Sequence, residues 1–222
     1  MDSSYKALSE RLYDYKNDKR DIAILGGTFN PIHNGHLAMA DAVFKEYKVP
    51  IVLMPNKISY YKENDVLPED SDRLEMVRLA SLEKDYLLYS DMEIVRGGIT
   101  HTIDTVRFLK SVNPDRRIYF IIGGDSLEWI DKWVDAEELL ASITVLTAVR
   151  GTTGKNRSKD IISNIKSRMI SADIRIIDME QMDISSTDIR RKVCQGRSVS
   201  GLLPEAVEDY IIEKSLYSGE IV

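Results

Sequence analysis

A doubly wound α/β fold, in which helices cover both faces of a mostly parallel central sheet, is the architecture this sequence predicts, on three observations. Short apolar runs alternate along the chain with segments of helical periodicity. The runs are apolar throughout rather than at every second position, as strands buried on both faces require. The three histidines and both tryptophans gather in or beside the polar turns that follow the runs. In sheets of this kind ligands bind beyond the carboxyl ends of the strands, where strand order reverses.

Taken in order, residues 3–17 carry Tyr5, Leu8, Leu12 and Tyr15 at helical spacing, so residues 1–20 are expected to form a helical N-terminal extension ahead of one domain spanning 21–222. Ile22 to Leu25 is the first strand, stopped by Gly26-Gly27. A helix starts near Gly35, with Leu37, Met39, Ala40 and Val43 as its apolar positions. Ile51 to Met54 is the second strand, ended by Pro55-Asn56. Ser71 to Lys84 is a helix with Ser71 as N-cap and with Leu74, Val77, Leu79 and Leu82 facing inward. Tyr86 to Val95 reads as a strand ending at Gly97-Gly98, and Thr102 to Val112 as a helix stopped by Asn113-Pro114. Ile118 to Ile122 is the most apolar strand and runs into Gly123-Gly124-Asp125. Ala136 to Ser142 is helical, Ile143 to Val149 a strand, Gly151 to Ser158 a flexible loop, and Asp160 to Ile170 a helix. Ile174 to Met179 is the last strand, followed by helices over Ser186 to Gln195 and Pro204 to Lys214. The sum is a Rossmann-like fold.

The chain has 222 residues, of which 43% are hydrophobic, enough to bury a full core as one domain. A net charge of -6 argues against a general nucleic-acid or anionic-membrane surface, while leaving room for a basic pocket that binds small phosphorylated substrates. Cys194 is the only cysteine, so no internal disulfide forms. No secretion signal or membrane span is recognised, and a cytoplasmic protein is expected. Self-association into a homo-oligomer is compatible with the sequence.

Chemistry concentrates in Asp21 to Met39, a strand, a glycine turn and a helix start. Glycine lets backbone approach a ligand closely, and the free N–H groups of a helix N-terminus favour an anion by roughly 0.3–2 kcal/mol. His33 and His36 sit three residues apart. At about 100° per residue this leaves their side chains about 60° apart on one helical face, so both imidazoles reach one small target. His-x-x-His would equally supply two ligands of a metal site, with His101, Cys194 and carboxylates available for a third. At the other end of the chain, Ile184-Ser185-Ser186-Thr187-Asp188-Ile189-Arg190 opens a helix. One hydroxyl suffices for a cap; three in succession, with Arg190 a turn later, suit a triphosphate better.

Gly27-Thr28-Phe29-Asn30-Pro31-Ile32-His33-Asn34-Gly35-His36 resembles the signature of the nucleotidyltransferase superfamily with the T/H-x-G-H motif, and Ile184 to Arg190 resembles its I-S-S-T-x-I-R motif. Three segments between them are similar to bacterial nicotinate-nucleotide adenylyltransferases: Met54-Pro55-Asn56-Lys57, Glu93 to Arg96 with Thr100-His101-Thr102 and Thr105, and Phe120 to Leu127 ending at Lys132-Trp133. The resemblance spans residues 21–217. It implies a Rossmann-like nucleotidyltransferase fold and transfer of AMP from ATP to nicotinate mononucleotide, giving nicotinate adenine dinucleotide and pyrophosphate without a covalent intermediate.

It also implies roles. His33, His36 and Arg190 would be catalytic. Gly26, Gly27, Thr28, Phe29, Gly123, Asp125, Ile184, Ser185, Ser186 and Thr187 would bind ATP, with Asp125 at the ribose. Asn56, Lys62, Thr102 and Trp133 would bind the acceptor, with Trp133 stacked on its pyridine ring, an attraction of roughly 0.5–2 kcal/mol. Mg2+ would arrive with ATP, and no protein-held metal is expected. The chain departs from the family in several places. Ser59-Tyr60-Tyr61-Lys62 replaces Pro-Pro-His-Lys/Arg, His101 replaces a tyrosine, Val134 an aromatic and Asn30 an aspartate, and no Arg-Pro-Gly turn follows Arg150. Nicotinamide mononucleotide or phosphopantetheine therefore stays open as acceptor. A non-catalytic nucleotide-binding regulator is the alternative of a different class.

Overall fold

The computed structural model of the protein describes residues 11–59, 68–149, 151–179 and 182–218. Its main sheet holds β1 (Ile22–Gly27), β2 (Ile51–Pro55), β4 (Leu87–Tyr89), β6 (Ile118–Gly123), β7 (Thr144–Val149) and β8 (Asp173–Asp178) in the order β4-β2-β1-β6-β7-β8. Every pair is parallel, with Leu25 opposite Leu53 on one side and Ile121 on the other. Two short strands, β3 (Ile58–Ser59) and β5 (Ile99–Thr100), form a separate parallel pair. The helices are α1 (Asn34–Tyr47), α2 (Asp70–Ser81), α3 (Met92–Arg96), α4 (Thr102–Val112), α5 (Gly124–Leu127), α6 (Ala136–Ser142), α7 (Gly151–Arg168), α8 (Ser186–Cys194) and α9 (Glu205–Glu213).

Both faces of the sheet are buried because alternate strand residues feed two separate cores. Ala23, Leu25, Leu53 and Ile121 pack with Leu37, Ala40 and Val43 of α1, Met76 and Val77 of α2, Ile189 of α8 and Val207 of α9. Ile22, Ile24, Val52, Phe120 and Ile122 pack with Ile103 and Val106 of α4, Leu139 of α6 and Ile165 of α7. The expected doubly wound sheet is therefore present. Chain order runs outward from β1 through β2 to β4, then returns to place β6 on the other side of β1. The reversal lies between β1 and β6, so the turns leaving these two strands border the crevice where such sheets bind ligands.

Four local expectations are corrected. Residues 11–20 contain no helix: Leu12 pairs in parallel with Tyr89, through Tyr13 N–H donating to Tyr89 O and Tyr89 N–H to Arg11 O, so the helix expected over 3–17 does not include 11–17. Residues 1–10 lie outside the described residues.

The strand expected over Tyr86 to Val95 ends at Tyr89, and Met92–Arg96 is helical. Ser90 starts the turn, its Oγ accepting from Met92 N–H, and Val95 N–H donates to Asp91 O. Gly151 to Ser158, expected as a loop, begins α7. Buried Ser158 extends the face of Ile161, Ile162 and Ile165 by one turn, and ion pairs from Lys155 to Asp178 and Arg157 to Glu128 hold it. Finally, α2 starts at Asp70 after Glu69 and not at a Ser71 cap, and Leu82 is exposed.

Candidate active site

The turn after β1 is shaped by close approach. A Cβ on Gly26 would lie 3.2 Å from the Phe120 ring, and one on Gly27 would lie 3.2 Å from the Phe29 ring, so any larger residue would press on aromatic neighbours. Phe29 takes a left-handed backbone, φ 48°. His33 is the N-cap of α1, and its extended backbone N–H donates to His36 Nδ1 at 3.2 Å. The neutral His36 ring therefore carries its proton on Nε2. The two imidazoles stack at 3.7 Å between centroids, and Phe29 stands edge-on to His36 at 5.1 Å. The start of α1 is anchored from the far end of the chain: Asn34 N–H donates to Leu202 O and Asn34 Nδ2 to Gly201 O, each at 2.9 Å.

The hydroxyl-rich start of α8 closes on this same turn. Ser186 Oγ donates to Pro31 O at 2.9 Å, and Arg190 Nη1 donates to Asn30 O at 2.9 Å. Arg190 Nη2 reaches Thr187 Oγ1 at 3.4 Å. Ser185 is the true cap, its Oγ accepting from Asp188 N–H at 3.1 Å. A Cβ on Gly35 would sit 3.7 Å from Ile184 Cβ, so Ile184 borders the histidine turn as well. The hydroxyls of Ser185 and Ser186 are thus engaged within the protein as donors or caps, and each keeps a lone pair for further contacts. A cleft at this helix start is lined by Asp183, Ser185, Thr187, Asp188 and Arg191.

On the opposite flank, Asn56 N–H donates to Gly27 O at 3.0 Å, joining the turns after β2 and β1. Asn56 Oδ1 is buried and has no hydrogen-bond partner among the described residues. Such an orphan costs about 1–3 kcal/mol unless something satisfies it. Trp133 packs edge-on against Phe120 at 6.1 Å, and Phe120 in turn lies beneath Gly26. Thr102 is the first residue of α4 and half-buried, Gly123 ends β6, and Asp125 is exposed in α5. Lys62, with Tyr60 and Tyr61, lies outside the described residues. Among the described residues no three His, Cys, Asp or Glu side chains converge to hold a metal ion, and no helix is long and apolar enough to cross a membrane.

Sequence reasoning missed four features. Arg73 is fully buried and donates to Thr28 O, Lys57 O and the Asp70 carboxylate. It shares a helical face with Met76, Val77 and Ala80, a phase that marks it as inward-facing. Asn30 is 4% exposed, and neither its Oδ1 nor its Nδ2 has a partner among the described residues. Glu93, 5% exposed, accepts from Thr105 Oγ1 at 2.6 Å, and Arg96 Nη1 donates to the same hydroxyl at 3.1 Å. Burial pushes the Glu93 carboxyl up to about 7, against the lowering pull of Thr105 and Arg96. The Tyr217 hydroxyl is buried near Arg190 and Arg73, and burial raises it despite their charge.

A family model described as cytidylyltransferase-like matches residues 24–192. A protein named "Probable nicotinate-nucleotide adenylyltransferase" from Lachnoclostridium phytofermentans is 36% identical over 89% of this chain and 99% of its own. One of the same name from Caldicellulosiruptor bescii is 38% identical over 88% of this chain and 98% of its own. Among solved structures, Plasmodium falciparum nicotinic acid mononucleotide adenylyltransferase complexed with NaAD superposes with a TM-score of 0.73, covering 91% of this chain and 100% of that one at 19% identity, a likeness of fold.

Proposed function

This chain belongs to the nicotinate-nucleotide adenylyltransferase family, and on that premise we propose that it transfers AMP from ATP to the 5′-phosphate of nicotinate mononucleotide. The products are nicotinate adenine dinucleotide and pyrophosphate. The observation that supports this reading best is the meeting of the two motifs at the switch point. Ser186 and Arg190 hydrogen-bond the Pro31 and Asn30 carbonyls, so the start of α8 and the paired imidazoles face one small volume.

The acceptor phosphate is already a nucleophile near neutral pH, so no general base or enzyme nucleophile is required. Its oxygen forms a bond to the α-phosphorus of ATP as the α–β bridging bond breaks in line, and pyrophosphate carries the electron pair away. The chain's share is positioning and charge stabilisation. His36 offers Nε2–H, and His33, stacked on it, stabilises the same charge. The Thr28 and Phe29 N–H groups serve the reacting α-phosphate, while Ser186, Thr187 and Arg190 hold the outer phosphates. Asp125 accepts from the ribose, while Asn56, Thr102, Lys62 and the Trp133 ring hold the acceptor. Magnesium fits as an ion brought by the triphosphate, whose oxygens rather than a protein cage would hold it and whose charge it would neutralise.

A panel of acceptors, each supplied with ATP and followed by pyrophosphate release, tests the assignment. Nicotinate mononucleotide should give the highest kcat/KM. A higher value with nicotinamide mononucleotide or phosphopantetheine would reassign the acceptor, and ATP binding without pyrophosphate release from any of them would replace catalysis by a binding role.

A further inference from the structure

Of the polar groups that the scheme above leaves without a role, Arg73 makes the most specific contacts. It projects from α2 into the space between the two substrate-side turns. Nη1 donates to Thr28 O at 2.8 Å in the turn after β1, and Nη2 donates to Lys57 O at 3.3 Å in the turn after β2. Asp70, one helical turn earlier, accepts from Nη2 and also pairs with Lys57 Nζ. Lys57 N–H continues the chain of contacts to Thr100 Oγ1 of β5 at 3.3 Å. One guanidinium therefore joins the nucleotide-side turn to the acceptor-side turn, and through it to the short strand that precedes Thr102.

The contact with Thr28 O does more than tether. A trans peptide is planar, and its carbonyl and N–H point in opposite directions. Holding Thr28 O toward α2 therefore turns the Phe29 N–H away from α2. Phe29 adopts φ 48°, a left-handed backbone uncommon for a residue other than glycine, asparagine or aspartate. Such a conformation persists only where its surroundings fix it. Arg73 supplies a fixed, forked donor that a lysine cannot reproduce.

We propose that Arg73 is a positioning residue for phosphoryl transfer: it aims the Phe29 N–H at the reacting phosphate and sets the distance between the nucleotide turn and the acceptor turn. This rests on the adenylyl-transfer reading above. A device of this kind affects the alignment of two bound substrates more than the binding of either one.

The test is steady-state kinetics of the full chain carrying Arg73→Lys, with Val77→Ala as a control for lost core packing on the same helix. Arg73→Lys should lower kcat by roughly tenfold to a hundredfold, with both KM values within about threefold of the parent. Val77→Ala should lower Tm and leave kcat near the parent value. A kcat for Arg73→Lys within about threefold of the parent, a loss confined to KM, or an equal kcat loss in Val77→Ala would overturn the proposal. If Arg73→Lys does not fold, Asp70→Asn decides: kcat falling about threefold to tenfold at unchanged KM supports the role, and unchanged kcat removes it. A parent protein that releases no pyrophosphate with any acceptor fails the reading itself and this role with it. An active parent with an equally active Arg73→Lys fails the positioning role alone.

Discussion

Replacing Glu93 with glutamine tests the electrostatics of the segment between β4 and α4 in a way that catalysis alone cannot. The carboxyl is buried, accepts from Thr105 and feels Arg96, and burial raises it from 4.5 to about 7. That rise corresponds to on the order of 3 kcal/mol between its protonated and ionised forms. Because the folded state holds the proton more tightly, it binds more protons than the unfolded chain between these two values. Stability from this group is therefore fully present below about pH 4.5 and is lost as pH rises through about 7. The steepest part of the decline is about 1.4 kcal/mol per pH unit.

Glutamine has nearly the same shape, keeps an Oε1 to accept from Thr105, and does not titrate. Urea unfolding of both proteins from about pH 4.5 to pH 8 reads the effect, since every other group titrates in both and cancels in the difference. The variant should match the parent at the acid end and gain up to roughly 3 kcal/mol over it at the alkaline end. Parallel curves, or a parent that gains on the variant as pH rises, would refute the reasoning.

Three further outcomes are expected. His36→Ala should abolish pyrophosphate release while Tm stays close to the parent, because the half-buried ring contributes charge stabilisation more than packing. Gly35→Ala should keep the far-UV CD spectrum and lose much of kcat, since the new methyl would lie 3.0 Å from His33 Cε1 and Nδ1 and displace that ring. Trp133→Ala should raise KM for the nicotinate acceptor far more than KM for ATP; equal effects would contradict stacking on the pyridine ring.

Much of this molecule is legible in its sequence because its central strands are buried on both faces, and an unbroken apolar run has few other interpretations. The hydroxyl start of α8 is a local pattern that the register of a helix turns into geometry. His33 and His36 also meet, but not by helical register, since His33 is the extended N-cap and its N–H donates to His36 Nδ1. Arg73, Glu93 and Asn30 could not be read in this way. Their burial comes from neighbours distant in sequence, Thr28 and Lys57 for the first and Thr105 for the second. In residues 11–17, pairing with Tyr89 overrides a helical spacing of Leu12 and Tyr15. In residues 92–96, local turn bonding overrides an alternation that resembles a strand.

The bridge between Leu12 and Tyr89 has a consequence for how copies of this protein meet. An open sheet offers its outermost backbone as a template for another chain, and that invitation leads to fibres as readily as to dimers. Here one border is only Leu87–Tyr89 long and is partly taken by the chain's own leading segment, while the other, β8, turns Arg175 and Asp178 to solvent. A short, partly occupied border on one side and charged side chains on the other both disfavour strand-by-strand growth of this sheet.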